Sequence, residues 1–429
     1  MQKRITTIVG AGAVLDFDFH YSNAFIPSTE NITKAIKELT FKGYDKEKCD
    51  VINAVYNLAL RRKLSVYDKY PLKKQYLSDK FNLNFEELYF LLESMLSLTS
   101  NGIEYFDPTG VPPLSTLLIV RKELESYKQV EFERAVFESL KEIISIIERY
   151  DSHFREHADS ENWYRKFWKD RDNIKYDIFT FNYDTTIEQC IGDYEDGFEL
   201  IEECEDKVSA FLPKKLLNNP NNLSMVQHLH GCIYYAECPE ECGNTHSNRD
   251  FFKMKSVKDA IKHIGRQQDE QTQAKEFYIN SPILIGLRKL DKMTFLPSSI
   301  YHANLVNKLI ENRGILIIGY SFSDLYVNQL LQRRLLMYGG NHRLVIIDYF
   351  PPYVNNIQAF YRYTQDKKDH LLHFIKPFMN LRIENFKIKG AEFRTYNDPI
   401  YSENHKCMLF ICGFRKAVES YADLILDFL

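Results

Sequence analysis

The chain has 429 residues, 45% of them hydrophobic and 27% charged, the balance of an ordinary globular protein with length for two or three domains. Its 55 basic and 59 acidic residues give a formal net charge of −4, so direct nucleic-acid binding is not indicated. No segment reaches the roughly 18 apolar residues of a membrane-spanning helix, and no membrane association is expected. The 28 tyrosines and 30 phenylalanines supply a sizeable core.

Met1 to Arg4 followed by Ile-Thr-Thr-Ile-Val-Gly has the basic-then-apolar order of a signal peptide. The apolar stretch is short, however, and runs into Asp16 and Asp18 without a small-residue cleavage pattern, so it reads as a first strand. Eight cysteines scattered along the chain point to reduced thiols and a cytoplasmic protein.

Residues 5–9 are β-branched and end at Gly10-Ala11-Gly12-Ala13, a strand delivered into a glycine turn. From about 31 to 175 the pattern is helical. Asn84 and Glu87 form a capping pair ahead of Leu88, Leu91, Leu92 and Met95, and Phe132, Val136, Leu140, Ile143 and Ile147 fall at helical spacing. Strands return at Tyr176–Phe181, Met225–His230, Ile283–Ile285, Ile315–Ile318 and Leu344–Ile347, with helices near 301–312 and 323–338. Short apolar strands alternating with helices predict an α/β fold: a Rossmann-like parallel sheet with helices on both faces, interrupted by a large helical insertion. The expected division is 1–30 plus 176–360 for the nucleotide-binding domain, 31–175 for the insertion, and 361–429 for a C-terminal extension of unassigned role.

Four motifs carry the chemistry. The Gly10–Ala13 turn lets a backbone approach a pyrophosphate near a helix N-terminus, or is an ordinary tight turn; the dinucleotide fingerprint fails because Leu15 stands at its third glycine. Thr180-Phe181-Asn182-Tyr183-Asp184 crowds polar residues at the end of a buried strand, where Asp184 either faces a ligand or caps the next helix. Strand alternation places His228 and His230 on one face, as proton-transfer groups, a metal pair or structural histidines. Gly319-Tyr320-Ser321-Phe322-Ser323-Asp324 ends another strand in a glycine turn, with Ser323 or Asp324 as a helix cap. The next strand ends in Asp348, where a ribose hydroxyl is often held.

In this order the motifs, with Pro27-Ser28-Thr29 and the segment from Ser281-Pro282-Ile283 to Lys292 and Pro297, resemble the bacterial sirtuin-like NAD-hydrolase family of antiphage defence systems. The resemblance covers 1–30 and about 175–350. Sirtuin deacylases differ at Val14-Leu15-Asp16 and Pro27-Ser28-Thr29, and carry two Cys-x-x-Cys zinc pairs where this chain has only Cys232, Cys238, Cys242 and His246 at irregular spacing. No metal is therefore expected, and the missing zinc module counts against a deacylase.

The resemblance implies NAD as the substrate. Asn182 would position the water or ribose, and His230 would be the base. Gly10, Ala11, Gly12, Ala13, Thr29, Asp184, Gly319, Ser321 and Asp348 would hold the dinucleotide. The reaction implied is hydrolysis of NAD to nicotinamide and ADP-ribose, depleting NAD during infection. A non-catalytic NAD or ADP-ribose sensor, a protein deacylase and a Rossmann oxidoreductase are the competing readings. The resemblance also implies restraint by a homo-oligomer, or by a partner such as a HerA-type ATPase. The insertion would then carry assembly contacts or shield the cleft.

Overall fold

A computed structural model describes residues 3–14, 26–39, 51–65, 83–99, 122–169, 173–201, 208–237, 250–264, 266–268, 277–279, 281–285, 293–338, 342–353, 397–401 and 406–429. Its strands are β1 (Lys3–Val9), β2 (Ile174–Thr180), β3 (Tyr194–Glu195), β4 (Phe198–Leu200), β5 (Ser209–Phe211), β6 (Ser224–His228), β7 (Tyr235–Glu237), β8 (Phe251–Lys253), β9 (Arg266–Gln268), β10 (Phe277–Ile279), β11 (Gly314–Ile318), β12 (Arg343–Ile347), β13 (Ile400–Tyr401) and β14 (Cys407–Phe410). Its helices are α1 (Thr29–Lys37), α2 (Val51–Ser65), α3 (Phe85–Thr99), α4 (Gln129–His157), α5 (Trp163–Trp168), α6 (Glu188–Ile191), α7 (Pro213–Asn218), α8 (Val257–Lys262), α9 (Ser298–Glu311), α10 (Leu325–Tyr338) and α11 (Phe414–Phe428).

The main sheet has the order β13-β14-β12-β11-β1-β2-β6-β3. Neighbours from β14 to β3 pair parallel, and β13 is antiparallel at its edge. Taking β1, β2, β6, β11, β12 and β14 in chain order, their spatial order is that of a doubly wound dinucleotide-binding sheet. The chain leaves β1 toward β2 on one side and returns to β11 on the other. The topological switch point therefore lies between β1 and β11, where such sheets open a crevice at the strands' carboxyl ends.

Side-chain alternation explains why both faces are apolar. Ile8, Phe179, Ile315, Ile317, Leu344, Ile346 and Leu409 belong to one core cluster with Ile32 and Ile36 of α1, Leu88 and Leu92 of α3, and Phe132 to Ile147 of α4. Their neighbours along the strands, Val9, Tyr176, Ile178, Leu316, Ile318, Val345, Ile347, Met408 and Phe410, belong to a second cluster with α5, α11 and the last turns of α4. A strand buried on both sides reads as a continuous apolar run, which is how β11 and β12 appear in the sequence.

The helical insertion packs into the fold: α4 contributes Phe132–Ile147 to the first core and Tyr150 and Phe154 to the second. Two elements differ from the sequence expectation. The region after 361 supplies β14 beside β12 and α11 beneath the sheet, because Met408, Phe410, Phe414 and Ile425 complete the second core. Ile283–Ile285, expected as a strand, makes an isolated bridge from Ile283 to Gly231 and a hydrogen bond from Leu284 N to His230 O at 2.7 Å. It pairs with a turn whose glycine sits at φ +82, and a turned backbone cannot extend a ladder. The Asn84–Glu87 capping box forms as expected, with the Glu87 amide donating to Asn84 Oδ1 at 2.6 Å and the Asn84 amide to Glu87 Oε2 at 3.1 Å.

Candidate functional site

The strand register brings the motifs to one level. Ile347, Ile318, Val9, Thr180 and His228 lie side by side as the last paired residues of five adjacent strands. Asp348, Gly319, Gly10, Phe181 and Leu229 are each the next residue. Sequence segments far apart along the chain thus end on a single line across the sheet, around the switch point.

At its centre the two glycine turns touch. Gly10 N donates to Ile318 O and Gly12 N to Gly319 O, at 2.9 and 3.0 Å. A Cβ on Gly10 would lie 2.5 Å from Gly319 O, and one on Gly12 would lie 2.8 Å from Gly319 Cα. Gly319 has φ +55, and its Cβ would fall 2.3 Å from Ala13 N. These glycines are therefore demanded by backbone meeting backbone, whatever ligand the crevice takes. The turn after β1 is a single 3-10 turn, Ala11–Ala13; residue 15 and those up to 25 lie outside the described residues. Ala11 is exposed and Ala13 buried.

Asn182 projects from the loop after β2. It is 7% exposed, and neither its side-chain Oδ1 nor Nδ2 has a hydrogen-bond partner. A buried amide without partners carries a free-energy cost of a size that folded proteins rarely retain without use. It leaves one acceptor and two donors unused in the ligand-free protein. Its backbone carbonyl is held by His228 Nδ1 at 2.9 Å, and His228 Nε2 meets Glu188 Oε1 at 2.6 Å. The carbonyl and the ionised Glu188 carboxylate both accept, so this pair of partners favours the imidazolium form, in which both ring nitrogens donate. Burial opposes that charge, but the Glu188 carboxylate and its hydrogen bond outweigh it and raise the His228 pKa. Glu188 is held below its ordinary value: burial raises it, but the charge and hydrogen bond of His228 lower it further.

The expectation that His228 and His230 share a face is corrected. The strand ends at His228 and the backbone turns, with the Gly231 amide donating to His228 O at 3.2 Å, so the alternation stops and the two rings meet different neighbours. Its ring packs edge-on to Phe181, with centroids 4.6 Å apart, and Phe181 stacks on Tyr320 at 4.9 Å. His230 Nε2 lies 3.5 Å from Asp324 Oδ2. Asp324 uses Oδ1 to accept the Val327 amide at 3.1 Å, so one carboxylate caps α10 and faces the histidine. The sequence showed only the cap.

The remaining expected residues fall at different distances from this centre. Asp184 accepts the Thr186 amide and hydroxyl at 3.1 and 2.6 Å, so its carboxylate shapes the loop; burial pushes its pKa up. Ser321 is exposed and shares a 2.8 Å hydrogen bond with Ser323. Asp348 is half-buried at the end of β12, its Oδ1 accepting the Tyr349 amide at 2.8 Å. Thr29 is exposed at the first position of α1, after Ser28, whose Oγ accepts the Asn31 amide at 3.2 Å. No described contact joins Thr29 to the turns. Cys232 is buried, whereas Cys238, Cys242 and His246 lie outside the described residues; among the described residues no three His, Cys, Asp or Glu cluster as a metal site.

With this geometry in hand, one comparison bears directly on the region that holds Asn182, His230, Gly319 and Asp348. Residues 177–371 match the family model described as the SIR2-like domain. The match begins inside β2, and the sheet adds the Gly10–Ala13 turn to it through β1. No curated protein matches the chain. Among solved structures, a Sir2 enzyme studied for mechanism and regulation aligns at 12% identity over 82% of each chain, with a TM-score of 0.29. A mutant Sir2 homologue in complex with 2′-O-acetyl ADP ribose aligns at 11% identity over 82% of this chain and 83% of that one, with a TM-score of 0.30. Sir2Tm bound to a propionylated peptide aligns at 11% identity over 86% and 94%, with a TM-score of 0.25. The fold is defined independently of these superpositions, by strand order and register. No helix among the described residues is long and apolar enough to cross a membrane.

Proposed function

We propose that the chain hydrolyses NAD to nicotinamide and ADP-ribose. The observation that carries this reading is the unpartnered, buried Asn182 amide at the end of β2, with the His230–Asp324 pair on the adjoining loops. The bond to be broken joins C1′ of a ribose to a cationic ring nitrogen. The departing nicotinamide takes the bonding electron pair and leaves neutral, so no acid is required. Water adds to C1′ and must lose one proton. The chain therefore needs a group to orient water or ribose and a group to accept that proton.

Asn182 can do the first with its amide. His230 can do the second through its ring, and the Asp324 carboxylate at 3.5 Å stabilises the resulting imidazolium. NAD would lie across the switch point. The Gly10–Ala13 turn would sit under the pyrophosphate, with Gly319, Ser321 and Asp348 on the adenosine side and Asp184 shaping the loop. Thr29 would close the far side from α1. The SIR2-like match over 177–371 supports NAD as substrate. The same reading extends to antiphage defence by NAD depletion, with restraint by a homo-oligomer or a HerA-type ATPase partner, in the cytoplasm.

The test is nicotinamide and ADP-ribose release by the purified chain, alone and with any neighbouring gene product, beside an Asn182→Ala/His230→Ala double mutant. Release that the double mutant abolishes supports the hydrolase. Tight NAD binding without release in every assembly replaces it with an NAD sensor, and release that requires an acyl-lysine peptide replaces it with a deacylase.

A further inference from the structure

Two consecutive residues of helix α4 hold the loops that follow the two central strands, β1 and β2. Tyr150 donates its hydroxyl at 2.6 Å to the carbonyl of Val14, which follows the glycine turn after β1. Asp151 accepts the Thr185 amide at 2.7 Å and the Thr185 hydroxyl at 2.9 Å on each carboxylate oxygen. Thr185 stands three residues after Asn182, and Tyr150, Asp151 and Thr185 are all buried.

Packing alone does not call for an acid here. Position 151 falls on the same buried stripe as Ile143, Ile147, Tyr150 and Phe154, where an apolar side chain would complete the core. The groups facing the carboxylate are Arg155 of its own helix at 2.9 Å, which also donates to the Tyr234 hydroxyl at 2.8 Å, together with Asp184 and Cys232. Among the described residues, the Thr185 hydrogen bonds tie the carboxylate to the Asn182 loop, and Gln189 Nε2 also donates to the Thr185 hydroxyl at 3.2 Å.

We propose that Asp151 is a positioning residue: by holding Thr185 it fixes the Asn182 amide relative to the glycine turn, so that the inserted helix sets the geometry of bond cleavage. The proposal rests on the hydrolase reading for its kinetic consequence, but not for its structural one. Ionised, Asp151 has acceptors for both Thr185 donors and for Arg155; protonated, it gives one of them up. Burial first, and then the neighbouring Asp184 charge, push its pKa up to about 7 against the Thr185 hydrogen bonds and Arg155. Turnover therefore rises with pH across an acid limb centred near that value.

The full chain carrying Asp151→Ala, Asp151→Asn or Thr185→Val is compared with the wild type by NAD turnover, NAD binding and amide hydrogen exchange. In Asp151→Ala, kcat falls by about 10- to 100-fold with NAD affinity within a few-fold of the wild type, as a misplaced group would produce. In Asp151→Asn and Thr185→Val part of kcat is kept, and Asp151→Asn loses the share of the acid limb that Asp151 adds to that of the His230 base. Exchange at residues 181–186 quickens in NAD-free Asp151→Ala while that of the central strands does not. Unchanged exchange at 181–186 overturns the proposal. So does a loss spread over the whole sheet in all three variants, with kcat and affinity falling together. If the wild type shows no turnover in any assembly, the hydrolase reading fails, and the exchange pattern still decides the role of Asp151.

Discussion

Truncating Asn182 to alanine separates a residue kept for function from one kept for stability. In the folded protein its amide is buried without a partner, so it costs stability on the order of 1–3 kcal/mol relative to a satisfied group. Asn182→Ala removes that cost together with a small amount of packing. The backbone carbonyl that His228 holds is untouched, and so is the amide that donates to Thr180 Oγ1 at 3.0 Å. The ligand-free variant should therefore be as stable as the wild type or more stable by about 1 kcal/mol. At an unfolding entropy of about 2 cal/mol/K per residue, that corresponds to about 1 °C in Tm for a chain of this length. Turnover should fall in the opposite sense, on the order of 100-fold or more, because the water or ribose loses its guide. The assay pairs a calorimetric melt without NAD with nicotinamide release at saturating NAD. A Tm lowered by several degrees, or turnover kept within a few-fold of the wild type, would refute the assignment of this amide to substrate.

Gly319→Ala should cost on the order of 3 kcal/mol or more, since its Cβ would meet Ala13 N at 2.3 Å on a residue with φ +55. Soluble yield and denaturant midpoint should both drop, while a serine at exposed Ala11 should melt like the wild type; equal midpoints for all three would show that the turns do not interlock. Asp324→Asn keeps an oxygen for the Val327 amide but removes the charge beside His230, so kcat should fall by about 10- to 100-fold with little change in NAD affinity. An unaltered kcat would remove Asp324 from the reaction. Stability should decline as pH rises from about 4 through about 7 and on through the raised His228 value. Over the window from its ordinary value near 4 to about 7, folded Asp151 keeps a proton that the unfolded chain has lost. The stabilisation from protonated His228 is complete below about 6.5 and is lost as pH rises through its higher folded value. Melts that rise toward alkaline pH would contradict both assignments, and His228→Gln should flatten the upper part of the decline.

Strand ends were legible in the sequence because a parallel sheet buried on both faces writes each strand as an apolar run and then stops it at a polar or glycine residue. Val9, Ile318 and Ile347 show this break, whereas the strands expected to reach Phe181 and His230 stop at Thr180 and His228; hydrogen-bond register sets all five ends on one line across the sheet. The loops beyond these breaks were less legible, because there the backbone leaves its period of two. His230 could not be placed by counting from His228 once the chain turned over residues 228–231, and the second role of Asp324 depends on a loop from another part of the sequence. The C-terminal strand and helix were hidden for a different reason. β14, Cys407–Phe410, is short and has no site motif at its end to mark it, and its partner β12 lies more than 50 residues earlier. Asp151 did leave a trace, as the one acid on the stripe Ile143, Ile147, Tyr150, Phe154. Helical periodicity alone assigns that stripe to the core and says nothing of Thr185. A charged residue on a buried stripe needs a partner from elsewhere in the fold, and here that partner belongs to the loop that carries Asn182. The elements that set the chemistry are thus joined by a few polar contacts between distant segments, while those that set the fold repeat along the chain.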